Sequence, residues 1–357
     1  MGYTKSIKSA DQNALRGEEA KTLEKFATVP FSQISIVVQG KVSSVTIDVL
    51  RQLRAIFFGS EIILSTWDGT NLDDLVFDKV VLSSDPGAFC ADEVAGTPNN
   101  VNRQLVSVQA GLSTDVRPYV LKTRTDIFFQ DAGFLKYFGK YDNIPSFYFC
   151  NRLLICNYYT RDPRIFDTCF HPSDWIVFGR AEDIRAYYDD LPLMSQEDGN
   201  WFRTHPKTST IFTNYLCRFT PEQHIFLSFL KKKTALACTC YYDHRQELIL
   251  QTERAFAECF VVLDYQKQLK IIFSKYHPNR YFEKHTLITH WKWKALYQHY
   301  CRKSFSILWL CNRLVGIMYR LMTGCRKRFV QIADFLGVKE HLKRLLSALK
   351  AGRPSER

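Results

Sequence analysis

Ile34-Ser35-Ile36-Val37-Val38-Gln39-Gly40 decides the fold. A short run of mostly β-branched apolar residues empties into a polar residue and a glycine, the pattern of a buried strand entering a loop. The next segment has the other period: Val49, Leu50, Leu53, Ile56 and Phe57 recur at helical spacing, and Gly59 ends that helix. Glu61-Ile62-Ile63-Leu64-Ser65-Thr66-Trp67 reads as a second strand running into polar Asp68-Gly69-Thr70-Asn71. Lys79-Val80-Val81-Leu82-Ser83 reads as a third, broken by Asp85-Pro86-Gly87. After a loop rich in Gly, Pro and Asn, Val101, Leu105, Val108 and Leu112 mark another helix, and a fourth strand runs from Tyr119 to Asp126. The alternation β-α-β-β-α-β with short apolar strands predicts an α/β fold, a mainly parallel sheet covered by helices. Such sheets bind ligands in the crevice outside the carboxyl ends of their strands. Those ends carry Gln39, Thr66 to Asp68, Asp85 and Asp126.

Beyond this core the pattern is coarser. Phe147-Tyr148-Phe149-Cys150, Leu153-Leu154-Ile155-Cys156 and Trp175-Ile176-Val177-Phe178 are candidate strands, and Ala181 to Asp189 a helix ended by Pro192. Thr220-Pro221-Glu222-Gln223 has a helix-start signature: Thr as cap, Pro first, Gln three after the cap. Its helix extends to about Lys233, with Ile225, Phe226 and Phe229 on one face. Residues 241–290 divide poorly and are assigned to the same domain; Phe260-Val261-Val262-Leu263 and Lys270-Ile271-Ile272-Phe273 are possible strands.

Composition narrows the function classes. In 357 residues, 46% hydrophobic and 24% charged, disorder and collagen-like repeats are excluded. The longest apolar stretch is broken by Arg313 and Arg320, against a bilayer-spanning helix, and the N-terminal segment has no apolar signal core. Gly2 with Ser6 fits the short myristoylation pattern, which chance produces easily. From Trp291 to Arg357 there are 15 Lys/Arg and 3 Asp/Glu, which accounts for the whole formal charge of +12 and leaves residues 1–290 neutral. That asymmetry points to a tail that meets a polyanion. The 11 Cys lack a zinc-ligand spacing, Cys238 and Cys240 forming a lone CxC, so a reduced, cytosolic chain is expected.

No GxGxxG follows the first strand, and no GxxxxGK[ST] occurs. A nucleoside diphosphate can instead be held by backbone amides and Asn or Gln at a strand end, with Arg, Lys or a cation on the phosphates. Lys122-Thr123-Arg124-Thr125-Asp126 offers two cations and a carboxylate alternating onto one face. The cations suit a leaving diphosphate, and Asp126 suits Mg²⁺ or Mn²⁺; a salt-bridged edge strand is the structural alternative.

Ile36-Val37-Val38-Gln39-Gly40, Ile63-Leu64-Ser65-Thr66-Trp67, Ser84-Asp85-Pro86-Gly87, Asn100-Val101-Asn102-Arg103-Gln104, Lys122-Thr123-Arg124-Thr125-Asp126 and His171-Pro172-Ser173-Asp174-Trp175 follow one another in this order. The series resembles the WavE-type lipopolysaccharide-synthesis family over roughly Ser32 to Lys233. Each motif is weak alone; six in order make a combined signal. The resemblance implies a GT-A-like, Rossmann-like glycosyltransferase domain over residues 31–240, adding a sugar from a nucleoside-diphosphate donor to a lipopolysaccharide core or related cell-surface glycan. GT-A enzymes typically hold the donor through a DxD motif and a divalent metal. Here that place reads Arg124-Thr125-Asp126, so metal dependence stays open and Arg124 is a candidate to replace part of the metal's charge.

On this reading Gln39, Trp67, Asp68, Asn100, Arg103, Lys122, Arg124 and Asp126 bind the donor, with Asp126 also the metal ligand. Each has a structural alternative: a turn residue for Gln39, core packing for Trp67, loop capping for Asp68, a helix cap for Asn100. Asp85 reads first as a turn residue. Asn100, Asn102 and Arg103 open a helix, whose exposed amides favour diphosphate. Asp174 is the first candidate for the base that takes the acceptor's proton, and Glu222 the second, against a structural role in the first turn of its helix. His171 is assigned to the acceptor, with a structural histidine as the alternative.

Residues 1–30 form an N-terminal extension and 291–357 a basic amphipathic helical tail. In 302–328, Ser306, Arg313, Arg320 and Lys327 fall seven apart while Ile307, Leu308, Leu310, Leu314, Ile317, Met318 and Leu321 crowd the rest. A broad apolar face flanked by Arg, Lys and Trp suits an anionic membrane surface. Phe335, Val338, Leu342, Leu345 and Leu349 sit close to a heptad seam, suited to packing on the domain or a second subunit. With no nucleic-acid motif beside the charge, the expected setting is the inner face of the bacterial cytoplasmic membrane, near a lipid-linked glycan acceptor. A non-catalytic membrane-surface protein that keeps a degenerate glycosyltransferase fold is the rival reading.

Overall fold

The computed structural model describes residues 29–89, 98–205, 217–274 and 285–335. The Gly2–Ser6 pattern and the seam from Val338 to Leu349 lie outside the described residues. The chain divides into two units, 1–306 and 307–357.

In the first unit, β1 (Ile34–Gln39), β2 (Glu61–Trp67), β3 (Lys79–Ser83), β4 (Tyr119–Arg124), β6 (Leu153–Cys156), β7 (Val177–Arg180) and β8 (Phe260–Leu263) build a seven-stranded sheet. Its order is β3-β2-β1-β4-β7-β6-β8. Every pairing is parallel except those of β7, which runs against both β4 and β6. The α/β fold read from the sequence is therefore the fold of the chain, and it is consistent with a Rossmann-like glycosyltransferase. β1 and β2 are buried along their whole length, which is why they read as continuous apolar runs.

The helices follow the expected spacings. α1 (Thr46–Ile56) buries Val49, Leu50 and Leu53, and Gly59, at φ +86°, turns the chain back toward β2. α2 (Val101–Ser113) packs on β1 and β2 so closely that a Cβ at Gly111 would lie 2.5 Å from Val37 Cγ1. α3 (Ala181–Tyr188) follows β7. α4 (Pro221–Lys231) opens with the full capping box, Thr220 and Gln223 each accepting from the other's backbone N–H.

Three expectations change. Phe147–Cys150 is not a strand: the amides of Cys150 and Asn151 donate to the Asp183 carboxylate instead of a ladder, and Phe149 stacks on Phe229 at 5.0 Å. The fourth strand stops at Arg124; after a turn at Thr125-Asp126, β5 (Ile127–Phe129) leaves the main sheet to pair antiparallel with β9 (Ile271–Phe273). Finally, α5 (Gln246–Cys259) and β8 make 241–263 part of the core, and α6 (His290–Tyr300) packs on α5 with Trp293 and Tyr297 buried. Residues 291–306, counted with the tail by charge, thus belong to the first unit. The second unit contributes α7 (Ile307–Phe335). Among the described residues no helix is long and apolar enough to cross a membrane.

Candidate active site

The strand order reverses between β1 and β4, since β1 leads outward to β2 while β4 begins the other half. Ligand crevices of open α/β sheets form at such a point, outside the carboxyl ends. The two exits are stapled together: Thr125 N donates to the Gln39 carbonyl at 3.3 Å, and Thr125 Oγ1 to the Lys41 carbonyl at 2.8 Å. Gly40, at φ +118°, makes the turn, with Thr125 Oγ1 3.6 Å from where its Cβ would stand.

Because β7 is antiparallel, the segment entering it, His171-Pro172-Ser173-Asp174-Trp175, arrives at the same end as the exits of β1 and β4. A hydrogen bond brings α4 there too: Gln223, the capping-box glutamine, donates from Nε2 to the Cys169 carbonyl at 2.8 Å. Glu222, its neighbour in the first turn, then meets His171, with Oε2 3.7 Å from Nε2.

Charges at this end are graded from rim to interior. Arg124 and Asp126 form the rim, their side chains 22% and 11% exposed. Arg124 grips both carboxylate oxygens of Asp126, at 2.9 Å each, and lays its guanidinium over the Trp175 ring at 4.5 Å. Lys122 and Asp174 are interior and essentially inaccessible. Lys122 Nζ donates to the Asp174 backbone carbonyl and stands 3.6 Å from its Oδ2. Oδ1 of Asp174 is buried with no hydrogen-bond partner among the described residues. An ionisable group left in that state costs free energy, which makes the site a reservoir of chemistry rather than of stability.

The protonation states follow from burial. Burial pulls the Lys122 ammonium down from its ordinary range, against the pull of Asp174. His171 is lowered to about 3 by burial, with nearby Arg161 adding to it. It is neutral, its Nδ1 donating to the Tyr159 carbonyl at 2.9 Å, which leaves the Nε2 lone pair toward Glu222. The contact with Glu222 is therefore not an ion pair. Glu222 is raised to about 8, by burial first and then by the charge of Asp174. Two buried carboxyl groups thus influence each other, and Glu222 holds its proton near neutral pH.

Two of the expected ligands are already engaged within the chain. Lys122 is enclosed together with Asp174 and counters its charge. Asp126 has both its oxygens engaged by Arg124, and among the described residues no group of three or more His, Cys, Asp or Glu is placed to hold a metal. As they stand, the described residues around Asp126 do not fit Mn²⁺ or Mg²⁺.

The other candidates lie around the crevice. Gln39, at the end of β1, is buried and accepts from Ser107 Oγ. Trp67 is buried at the end of β2, and Asp68, exposed just beyond, accepts from Ser84 Oγ at 2.9 Å. Arg103 is filled by Asp85 through two bonds of 2.7 Å and by Asn100 Oδ1 at 3.0 Å. Asn100 makes no cap bond; Asn99 Oδ1 accepts from Val101 N instead. Asn102 is structural, its amide exchanging two hydrogen bonds with the Met194 backbone.

Sequence reasoning missed Arg161. It is buried, its guanidinium faces the Tyr159 and Phe166 rings at 5.0 and 4.6 Å, and its Nε has no hydrogen-bond partner among the described residues. Its charge acts on both His171 and Glu222. The signal available was Thr160-Arg161-Asp162-Pro163 directly after a buried strand, where a charged residue needs a reason. Elsewhere, a cavity of about 350 Å³ is lined by Asp198, Arg218, His224, Lys231 and neighbours. It contains none of the strand-end groups, and its Arg218 is already paired with Asp198.

A family model described as WavE lipopolysaccharide synthesis matches residues 34–322, from the first residue of β1 into α7. No curated protein matches the chain. The family match spans most of the chain, which therefore belongs to the WavE lipopolysaccharide-synthesis family. It reaches well past Lys233, where the sequence motifs stop, and takes in α5, β8, β9 and α6.

Proposed function

We propose that this member of a lipopolysaccharide-synthesis family is a glycosyltransferase that moves a sugar from a nucleoside-diphosphate donor to a hydroxyl of a lipopolysaccharide core or related surface glycan, with no metal at Asp126. The observation that carries the reading is the buried Asp174–Glu222–His171 group at the sheet's topological switch, with one Asp174 oxygen unpartnered. Family membership and the mostly parallel sheet support it.

The division of labour follows from the gradient of charge. The nucleoside lies over the ends of β1 and β2, at Gln39, Trp67 and Asp68. The diphosphate takes Arg124, exchanging with Asp126 on a planar fork that fits phosphate as well as carboxylate. In transfer the acceptor oxygen forms its bond to the anomeric carbon as the bond to the diphosphate breaks. The leaving electron pair goes to the diphosphate oxygen, and the hydroxyl proton goes to Asp174. Lys122 holds Asp174 in place, and protonated Glu222 keeps a second negative charge out of the pocket. Such transfer would take place on the cytoplasmic face of the bacterial inner membrane, where nucleotide sugars meet lipid-linked acceptors.

The test is release of nucleoside diphosphate when the purified chain is incubated with a panel of nucleotide sugars and rough lipopolysaccharide. Wild type is expected to turn over one donor class. Arg124→Gln is expected to raise its KM by about tenfold or more, the worth of one charge-assisted contact. Turnover of no donor, or an Arg124→Gln variant with unchanged KM, contradicts the proposal.

A further inference from the structure

α7 is amphipathic in an unusual sense. In a helix of a water-soluble protein the apolar stripe faces the core and the polar face meets solvent. Here Ile307, Leu314, Ile317, Met318, Leu321 and Met322 are 51 to 70% exposed. At 100° per residue they fall within one half of the helix circumference. On the opposite side Leu308, Trp309, Asn312, Arg313, Gly316 and Tyr319 are less exposed. This half of the helix is thus both apolar and exposed, and a contiguous exposed patch of that kind marks an interaction surface.

Charge selects the occupant. Between Arg302 and Arg328 the sequence carries Arg302, Lys303, Arg313, Arg320, Arg326, Lys327 and Arg328 and no Asp or Glu. Among the described residues no helix is long and apolar enough to cross a bilayer. An outward apolar face with cations and no anions is complementary to the headgroup boundary of an anionic bilayer, where the apolar side chains enter the acyl region and the cations meet phosphate. A second copy of the chain would bring the same positive charge to the interface and be repelled.

We propose that α7 lies in the plane of an anionic membrane with its apolar half inserted. This rests on exposure and charge and is independent of the sugar-transfer reading. The test is flotation of the full chain with vesicles of equimolar phosphatidylglycerol and phosphatidylcholine, against phosphatidylcholine alone, with light scattering for mass. Expected are co-flotation with the anionic vesicles only, its loss in high salt, and its loss in Leu314→Glu/Ile317→Glu, whose changes lie on the exposed face. Arg313→Gln/Arg320→Gln is expected to weaken partitioning about fivefold per cation, the ~1 kcal/mol each gains near an anionic surface. Equal flotation with neutral vesicles overturns the charge argument. A wild-type dimer that fails to float and becomes monomeric in Leu314→Glu/Ile317→Glu overturns the proposal in favour of self-association.

Discussion

Two clusters of buried charge stand in the same unit and are built on opposite principles. In one, Arg164 forms a bidentate pair with Glu253, and Tyr300 adds a hydrogen bond to Glu253 Oε2 at 2.7 Å. It ties the loop after β6 to α5 and α6, and its geometry repays the desolvation of both ions. In the other, Lys122 stands 3.6 Å from Asp174, His171 stands 3.7 Å from Glu222, and Asp174 Oδ1 and Arg161 Nε have no hydrogen-bond partner among the described residues. The first resembles a fastener. The second keeps its charges poorly compensated at the carboxyl end of the sheet, where ligand crevices of open α/β sheets form. Satisfaction of polar groups, rather than burial alone, separates the structural cluster from the reactive one.

The contrast is broken most sharply by removing one carboxylate from each. Glu253→Ala leaves Arg164 buried and always charged, with an expected loss of about 3–5 kcal/mol in denaturant unfolding. Asp174→Asn leaves Lys122, whose ammonium burial already disfavours, so it sheds its proton at a cost of about 1–2 kcal/mol. That variant is expected instead to lose about 10²–10⁴-fold in transfer rate, the usual worth of a positioned base. A stability loss at Asp174 as large as that at Glu253, with transfer intact, would make both clusters structural.

The division between legible and hidden features has a physical basis. β1 and β2 announce themselves as continuous apolar runs because they are buried along their whole length, and α1 and α2 by helical period because each buries one face. α5 has the same helical spacing, with Leu248, Ile249, Thr252, Ala255 and Phe256 buried, but it runs into β8 at Phe260 without a breaker, so the period changes with no punctuation. The reversed direction of β7 leaves no local mark, and it is what carries Asp174 to the crevice. Asp174 and Glu222 were legible as candidates from a motif and a helix start. Their pairing was not, since it depends on the Gln223–Cys169 bond that brings two distant segments together. Lys122 read as a phosphate ligand because its spacing with Arg124 is right for one face. The structure shows that one step deeper along the strand means enclosure.

A smaller effect sharpens the comparison through pH. Folded Glu222 holds its proton up to about pH 8, whereas the unfolded group releases it near 4.5. In that window the folded state binds the extra proton, so this group's contribution to stability is complete below pH 4.5 and lost as pH rises toward 8. Glu222→Gln is expected to gain stability relative to wild type across the window, on the order of 1 kcal/mol per pH unit. Denaturant midpoints of both proteins at several pH values check it, and a difference that stays flat shows Glu222 to be ionised in the fold. His171, lowered to about 3, acts in the opposite direction between 3 and 6.5, and the variant retains it, so it cancels in the difference.

The smallest effect belongs to the exposed pair of Arg103 and Asp85, whose Asp85 carboxyl is held below its usual range by the hydrogen bond from Arg103. Asp85→Asn is expected to change stability by less than about 1 kcal/mol, as exposed pairs do. A larger loss in thermal unfolding would show that the pair fastens α2 to the loop after β3.

The central claim is that the ends of β1 and β4 bind a nucleoside diphosphate through Arg124 without a metal. Thermal unfolding of the full chain with uridine, guanosine, cytidine, thymidine and adenosine diphosphates, each in Mn²⁺ and in EDTA, tests it directly. The account predicts a rise in Tm with one base, equal in the two conditions and lost in Arg124→Gln. A shift with no nucleotide, or one that appears only with Mn²⁺, would contradict it.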